Sequence, residues 1–179
     1  MAFADYLDLR TAVIEQTGRV DITDVFDRLT KLAEARLGRT LRMAQQVSET
    51  TVTFSDGSAT LPNDFQEVIG LYDANGREIN QLTRQDLAGD QSRDGDYTLQ
   101  YYAKIPSLTT GLTSTNWLLE AYPDVYLYSV AYEAARHARD TETAAVMKQL
   151  ERECIMDART NDYRIRYSRS RVRVRGVTP

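Results

Sequence analysis

The strongest constraint in this sequence is a double change of hydrophobic period. Apolar residues recur every 3.6 or so positions up to about residue 47, alternate with a period of two over 48–103, and return to the helical period from Ser114 onward. A stretch patterned for one period cannot bury its apolar side chains in the other conformation, so a helical body must carry a β insertion. The expected fold class is α+β: a helical bundle with an inserted small antiparallel β domain and an extended C-terminal arm. The corresponding parts are 1–47 (N-terminal helices), 48–103 (β insertion), 104–163 (C-terminal helices) and 164–179 (basic arm).

Local signals refine this. Tyr6, Leu9 and Val13 place a first helix over 4–16, with Gly18 as its stop. Asp21 or Thr23 can cap a second over about 23–43, with Phe26, Leu29, Ala33, Leu37 and Leu41 as its apolar stripe. Gly38 interrupts that stripe at a cost of roughly 1 kcal/mol against alanine, which points to a close contact or an early end. Thr50, Val52 and Phe54 alternate in a first strand. Asp56-Gly57 signals a hairpin returning through Ala59-Thr60-Leu61, and Asn75-Gly76, a type I′ candidate, joins Glu67–Tyr72 to Arg77–Leu82. A helical turn at Thr83–Ala88, a polar loop at Gly89–Asp96 and a strand at Tyr97–Ala103 complete five or six short strands. Pro123 suits the first position of a helix reaching Ala138, with Tyr128, Ala131, Ala135 and Ala138 along one face. Asp140 or Thr141 opens a last helix through Leu150, Cys154 and Ala158.

The side chains that carry chemistry form no recognisable set. No window approaches the ~18 uninterrupted apolar residues of a membrane span, and Met1-Ala2-Phe3-Ala4-Asp5 has no basic start of a secretory signal. His137 falls at a helix C-terminus, where an imidazolium suits the dipole, and no nucleophile or orienting group accompanies it. Cys154, the lone cysteine, cannot form an internal disulfide. It fits a reducing compartment such as bacterial cytoplasm, and it reads as a buried, inert thiol. Asp90, Ser92, Asp94 and Gly95 approach a calcium loop, but the twelfth position, Tyr101, is no carboxylate, so a solvated loop is expected. Phosphate-loop motifs do not occur. The expectation is a non-enzymatic protein with no catalytic residues, no metal and no cofactor.

Charge is unevenly spread. Residues 159–179 hold seven arginines and one acid, for +6, while the other 158 residues hold 15 bases and 25 acids, for −10. From Arg169 to Arg175 the order Arg-Ser-Arg-Val-Arg-Val-Arg would, in an extended strand, put Arg169, Arg171, Arg173 and Arg175 on one face and Ser170, Val172 and Val174 on the other. Such a segment has too little apolar area to fold alone and can add as a strand to a partner's sheet.

Tyr101-Tyr102-Ala103-Lys104-Ile105-Pro106-Ser107-Leu108, Thr115-Asn116-Trp117-Leu118-Leu119 and Tyr122-Pro123-Asp124-Val125-Tyr126-Leu127-Tyr128 resemble the adaptor (head-completion or connector) proteins of tailed bacteriophages. Leu61-Pro62-Asn63-Asp64-Phe65-Gln66-Glu67-Val68 resembles the start of a strand in the same family, and the resemblance covers most of 5–160. It implies a structural virion protein at the head–tail interface, made in the host cytoplasm. Twelve copies would form a ring beneath the portal, extend the DNA channel without sequence-specific contacts, and meet tail nozzle or tube proteins below, with no membrane involved. It also implies a portal-binding arm, for which Arg164, Arg166, Tyr167, Arg169, Arg171, Val172, Arg173, Val174 and Arg175 are the candidates. Trp117, Tyr102 and Pro106 are the candidate structural anchors. Trp117 can pin the β domain to the bundle, or it can meet another subunit. The alternative function is a nucleic-acid-binding protein whose arginine-rich tail grips phosphates.

Overall fold

The computed structural model describes residues 3–56, 58–79 and 94–168. The chain is α+β and divides into two units, Met1–Met43 with Ile105–Pro179, and Ala44–Lys104.

The first unit is helical: α1 (Tyr6–Thr17), a 3-10 turn (Thr23–Val25), α2 (Phe26–Thr40), a second 3-10 turn (Leu108–Thr110), α3 (Trp117–Ala121), α4 (Pro123–His137) and α5 (Thr141–Ser168). Each boundary has a local cause. Asp5 accepts the amide of Asp8 at 3.0 Å to cap α1, and Gly18, at φ 65°, closes it. Asp140 accepts the amide of Thr143 at 3.0 Å to open α5, and Pro123 stands in the first turn of α4. The α2 stripe Phe26, Leu29, Ala33, Leu37 and Leu41 is buried. The helix stops at Thr40, short of residue 43, because Leu41 turns to extended backbone (ψ 137°) while its side chain stays in the core.

α4 is the central helix and packs against α1, α2, α3 and α5. The single-face reading of it therefore fails. Val125, Tyr126, Ser129, Val130, Ala131, Ala134 and Ala135 are buried around the helix, whereas Tyr128 of the expected stripe is only partly so. A helix with neighbours on several sides has no solvent face to mark with polar residues, and its alanines let those neighbours approach.

The second unit is an antiparallel sheet of β1 (Val47–Phe54), β2 (Phe65–Tyr72), β3 (Glu78–Ile79) and β4 (Gly95–Ala103) in the order β1-β4-β2-β3. Val52, Leu99 and Tyr101 form its core. The turn expected at Asp56-Gly57 forms: Ser55 and Ser58 exchange backbone hydrogen bonds across it at 2.9 and 3.1 Å, with Asp56 at φ 52°. The return strand does not follow: Ala59–Leu61 is not a strand, and β1 pairs instead with β4 from Val47↔Tyr102 to Phe54↔Gly95. Three residues ended by Pro62 offer far fewer ladder bonds than the nine-residue β4. The second hairpin forms, but Gly76 (φ 75°) takes the left-handed backbone and Asn75 does not, so it is not type I′. Asp73 explains the difference: its carboxylate accepts the amides of Asn75 and Arg77 at 2.8 and 2.9 Å. Four strands are present among the described residues. The helical turn expected at 83–88 and most of the loop read against calcium lie outside those residues, and Gly95 already begins β4.

Trp117 is half-buried and packs on the helical core, whereas Leu118 and Leu119 are fully enclosed. Leu118→Ala is expected to cost roughly 2–5 kcal/mol in chemical denaturation, and Trp117→Ala less than Leu118→Ala.

Candidate functional site

Two polar clusters hold the helical unit together. In the first, Arg36 of α2 reaches both α4 and α5. Its Nε donates to Glu133 at 3.0 Å, its Nη1 to Glu151, and its Nη2 to the Ser129 carbonyl at 3.1 Å. Ser129 Oγ and Lys148 Nζ also donate to Glu151, at 2.8 and 2.5 Å. The Arg36 guanidinium lies 4.6 Å from the centre of the Tyr132 ring, a cation–π contact. Glu151 has only 1% of its side chain exposed. Burial pushes its pKa up, but the hydrogen bonds from Lys148 and Ser129 and the Arg36 charge outweigh that, and its carboxyl titrates below the ordinary range.

The second cluster joins the Tyr101–Leu108, Thr115–Leu119 and Tyr122–Tyr128 stretches that carry the family resemblance. Asn116 is buried. Its Oδ1 accepts the amides of Leu118 and Leu119 at 3.1 and 2.9 Å, capping α3, while its Nδ2 donates to the Pro106 carbonyl at 2.6 Å and to Tyr126 Oη at 2.8 Å. Glu34 of α2 accepts the Leu108 amide and the Ser107 hydroxyl, both at 2.7 Å. Burial raises the Glu34 pKa against those hydrogen bonds, and it raises the Tyr126 phenol as well. Pro106 and the Asn116–Leu119 block thus meet, with the Pro106 side chain exposed and its carbonyl engaged. Tyr102 belongs to β4 of the other unit, half-buried opposite Val47.

The candidate arm residues divide in two. Arg164, Arg166 and Tyr167 are helical and exposed in the last turns of α5, so an extended arm beginning at 164 is corrected. Pairs spaced i,i+4 hold the helix there: Arg166 donates to Asp162 at 2.7 Å, and the Tyr163 and Tyr167 ring centres lie 4.1 Å apart. Arg166 also donates to the Arg42 carbonyl at 3.1 Å, near the end of α2. Arg169, Arg171, Val172, Arg173, Val174 and Arg175 lie outside the described residues.

His137 ends α4, exposed. Cys154 is half-buried, not enclosed as expected, because it lies at the rim of the α5 stripe; burial, with Asp124 beside it, pushes its thiol up to about 12. Neither polar cluster was legible in the sequence. Short-range spacing marks only fragments of them, such as the i,i+3 pair Lys148–Glu151 and the Asn116 cap; the contacts that join elements span up to 115 residues (Arg36 to Glu151).

The family model described as "SU10 adaptor protein" matches residues 4–175. No curated protein matches the chain.

Arg36→Ala strips the buried Glu133 and Glu151 of their shared cation and is expected to cost roughly 3–5 kcal/mol in urea denaturation. The Glu151 pKa is depressed in the fold, so its contribution is present above the unfolded glutamate value of about 4.3 and is lost as pH falls through the lower folded value. The stability gap between wild type and Glu151→Gln, followed by denaturation at stepped pH, is therefore expected to be widest near neutrality and to shrink below about pH 4.

Proposed function

The chain belongs to the SU10 adaptor protein family, and we propose that it serves as a ring subunit beneath the portal of a tailed phage. In this reading about twelve copies extend the DNA channel, touch the genome only in passing and without base recognition, and offer a platform to the tail nozzle or tube. The family match over 4–175 carries the proposal, because it takes in both units and most of the basic C-terminal segment.

The fold suits such a part. A ring subunit needs a rigid body to hold its place and separate elements to meet its neighbours above and below. The helical unit, locked by Arg36 and Asn116, supplies the body. α5, 28 residues and so about 42 Å long, ends in the exposed Arg164, Arg166 and Tyr167. These root the portal-binding arm, which continues through Arg169, Arg171, Val172, Arg173, Val174 and Arg175. Docking then combines face-to-face contact with an arm that grips.

The buried helical residues all precede Tyr163, so removing 169–179 is expected to leave the melting temperature nearly unchanged and to abolish docking in a portal-binding assay. Val172→Pro removes a strand donor without altering charge and is expected to weaken docking if the arm adds as a strand. Arginine-to-glutamine changes with a steep salt dependence, beside a silent Val172→Pro, would favour the nucleic-acid reading of the tail. Undiminished docking by the truncated chain would remove the arm. Electron microscopy of the portal complex tests the ring.

A further inference from the structure

α2 and α5 both pack on α4 and leave between them an open groove of about 370 Å³, in which Arg36, Lys148, Arg152 and Arg159 outnumber the one lining acid, Glu151, with Ile155 and Met156 beside them. At 100° per residue, Lys148, Arg152, Arg159 and Arg166 fall within roughly 40° of one another around α5, a basic stripe about 27 Å long. Part of that charge is spent. Arg36 and Lys148 face Glu133 and Glu151, and Arg166 faces Asp162. The rest is not. Arg152 makes no hydrogen bond or ion pair among the described residues, and Arg159 donates to the neutral Thr40 carbonyl; both are exposed. Beside them stand Met156 and Tyr163, 67% and 60% exposed. The groove is therefore cationic with an apolar margin.

The complementary surface is on the same unit. Residues 5–25, which are α1 and the 3-10 turn after it, hold five acids and two bases. Asp21 is paired with Arg19 at 2.6 Å, while Asp8, Glu15 and Asp24 are exposed with no ion pair among the described residues, as are the apolar Leu7 and Val20. One end of the sequence is thus an acidic face with apolar points, and the α2–α5 groove is a basic face with apolar points. We infer that the groove is a self-docking face that receives the acidic α1 surface of a second copy. Two different surfaces in contact make a head-to-tail interface, which propagates and can close into a ring; a two-fold dimer would need one surface to fit itself. Duplex DNA fits less well, because the chain carries a net charge of −4 and the exposed, apolar Met156 lines the groove beside its arginines. The inference rests on the ring reading above and assigns its subunit contact.

A charge swap in the full chain tests it, with sedimentation velocity at low salt as the readout. Arg152→Glu with Arg159→Glu makes the groove acidic, and Asp8→Lys with Glu15→Lys makes the α1 face basic. Circular dichroism checks that each double variant is folded. Wild type is expected to self-associate weakly, each double variant alone roughly tenfold or more weakly than wild type, and an equimolar mixture to regain association, because each reversed face then meets its complement. Wild type that stays monomeric, a groove variant that associates normally, or a mixture that does not recover overturns the inference. Loss of duplex-oligonucleotide binding by the groove variant, with self-association intact, overturns it in favour of DNA. Portal docking separates the two proposals: a charge swap that behaves as expected in a protein that ignores the portal leaves the contact standing and removes the adaptor role, and the reverse result does the opposite.

Discussion

The helical unit depends on one guanidinium. Arg36 projects from α2 between α4 and α5 and satisfies two glutamates and a backbone carbonyl at once, with the Tyr132 ring against its face. Its planar fork suits this, because donors pointing in fixed directions reach three acceptors without a separate entropic cost for each. Glu133 and Glu151 tolerate burial because Arg36 serves both, with Arg136 also on Glu133 and Lys148 on Glu151. The cluster adds little favourable energy against an apolar packing of similar volume. What it supplies is register: slide either helix by one turn and a buried carboxylate loses its partner.

The Asn116 cap does the same for the chain that follows the sheet. One buried side chain caps α3, holds the Pro106 carbonyl and meets Tyr126 on the central helix. Glu34 binds the Ser107–Leu108 backbone from α2. The connection re-entering the helical unit is thus fixed by hydrogen bonds from two helices, while Ile105 and Leu108 fill the core beneath it. The Ile105-Pro106 and Asn116-Trp117-Leu118-Leu119 stretches, which carry the family resemblance, together make this corner. Within them the weight lies on Asn116, Leu118 and Leu119 more than on the larger Trp117.

With its interior so constrained, the unit is left to vary at its surface, and there the charges segregate. The basic stripe of α5 begins at the buried network with Lys148 and ends at Arg166, where the helix approaches the end of α2. Arg159 and Arg166 each donate to a backbone carbonyl near the C-terminus of α2, where cations oppose the helix dipole. The same residues therefore stabilise a helix end and charge a face.

The sequence alone determined the order of the elements, because hydrophobic period and capping are local. Tyr6, Leu9 and Val13, the α2 stripe from Phe26 to Leu41, Gly18, Pro123 and Asp140 each act within a turn or two of themselves, and each does in the fold what its neighbours in sequence imply. Only the tertiary structure decided what met across distance. β1 chose β4 over the three residues next to it because a longer ladder offers more bonds. α4 proved buried around its circumference because other helices surround it. Arg164 to Tyr167 stayed helical because Asp162 and Tyr163 stand four residues back and Arg42 offers a carbonyl from another element. The Arg36 network joins residues about a hundred positions apart, and a pattern of that span leaves no period to read: its members become neighbours only when the core has already brought their helices together.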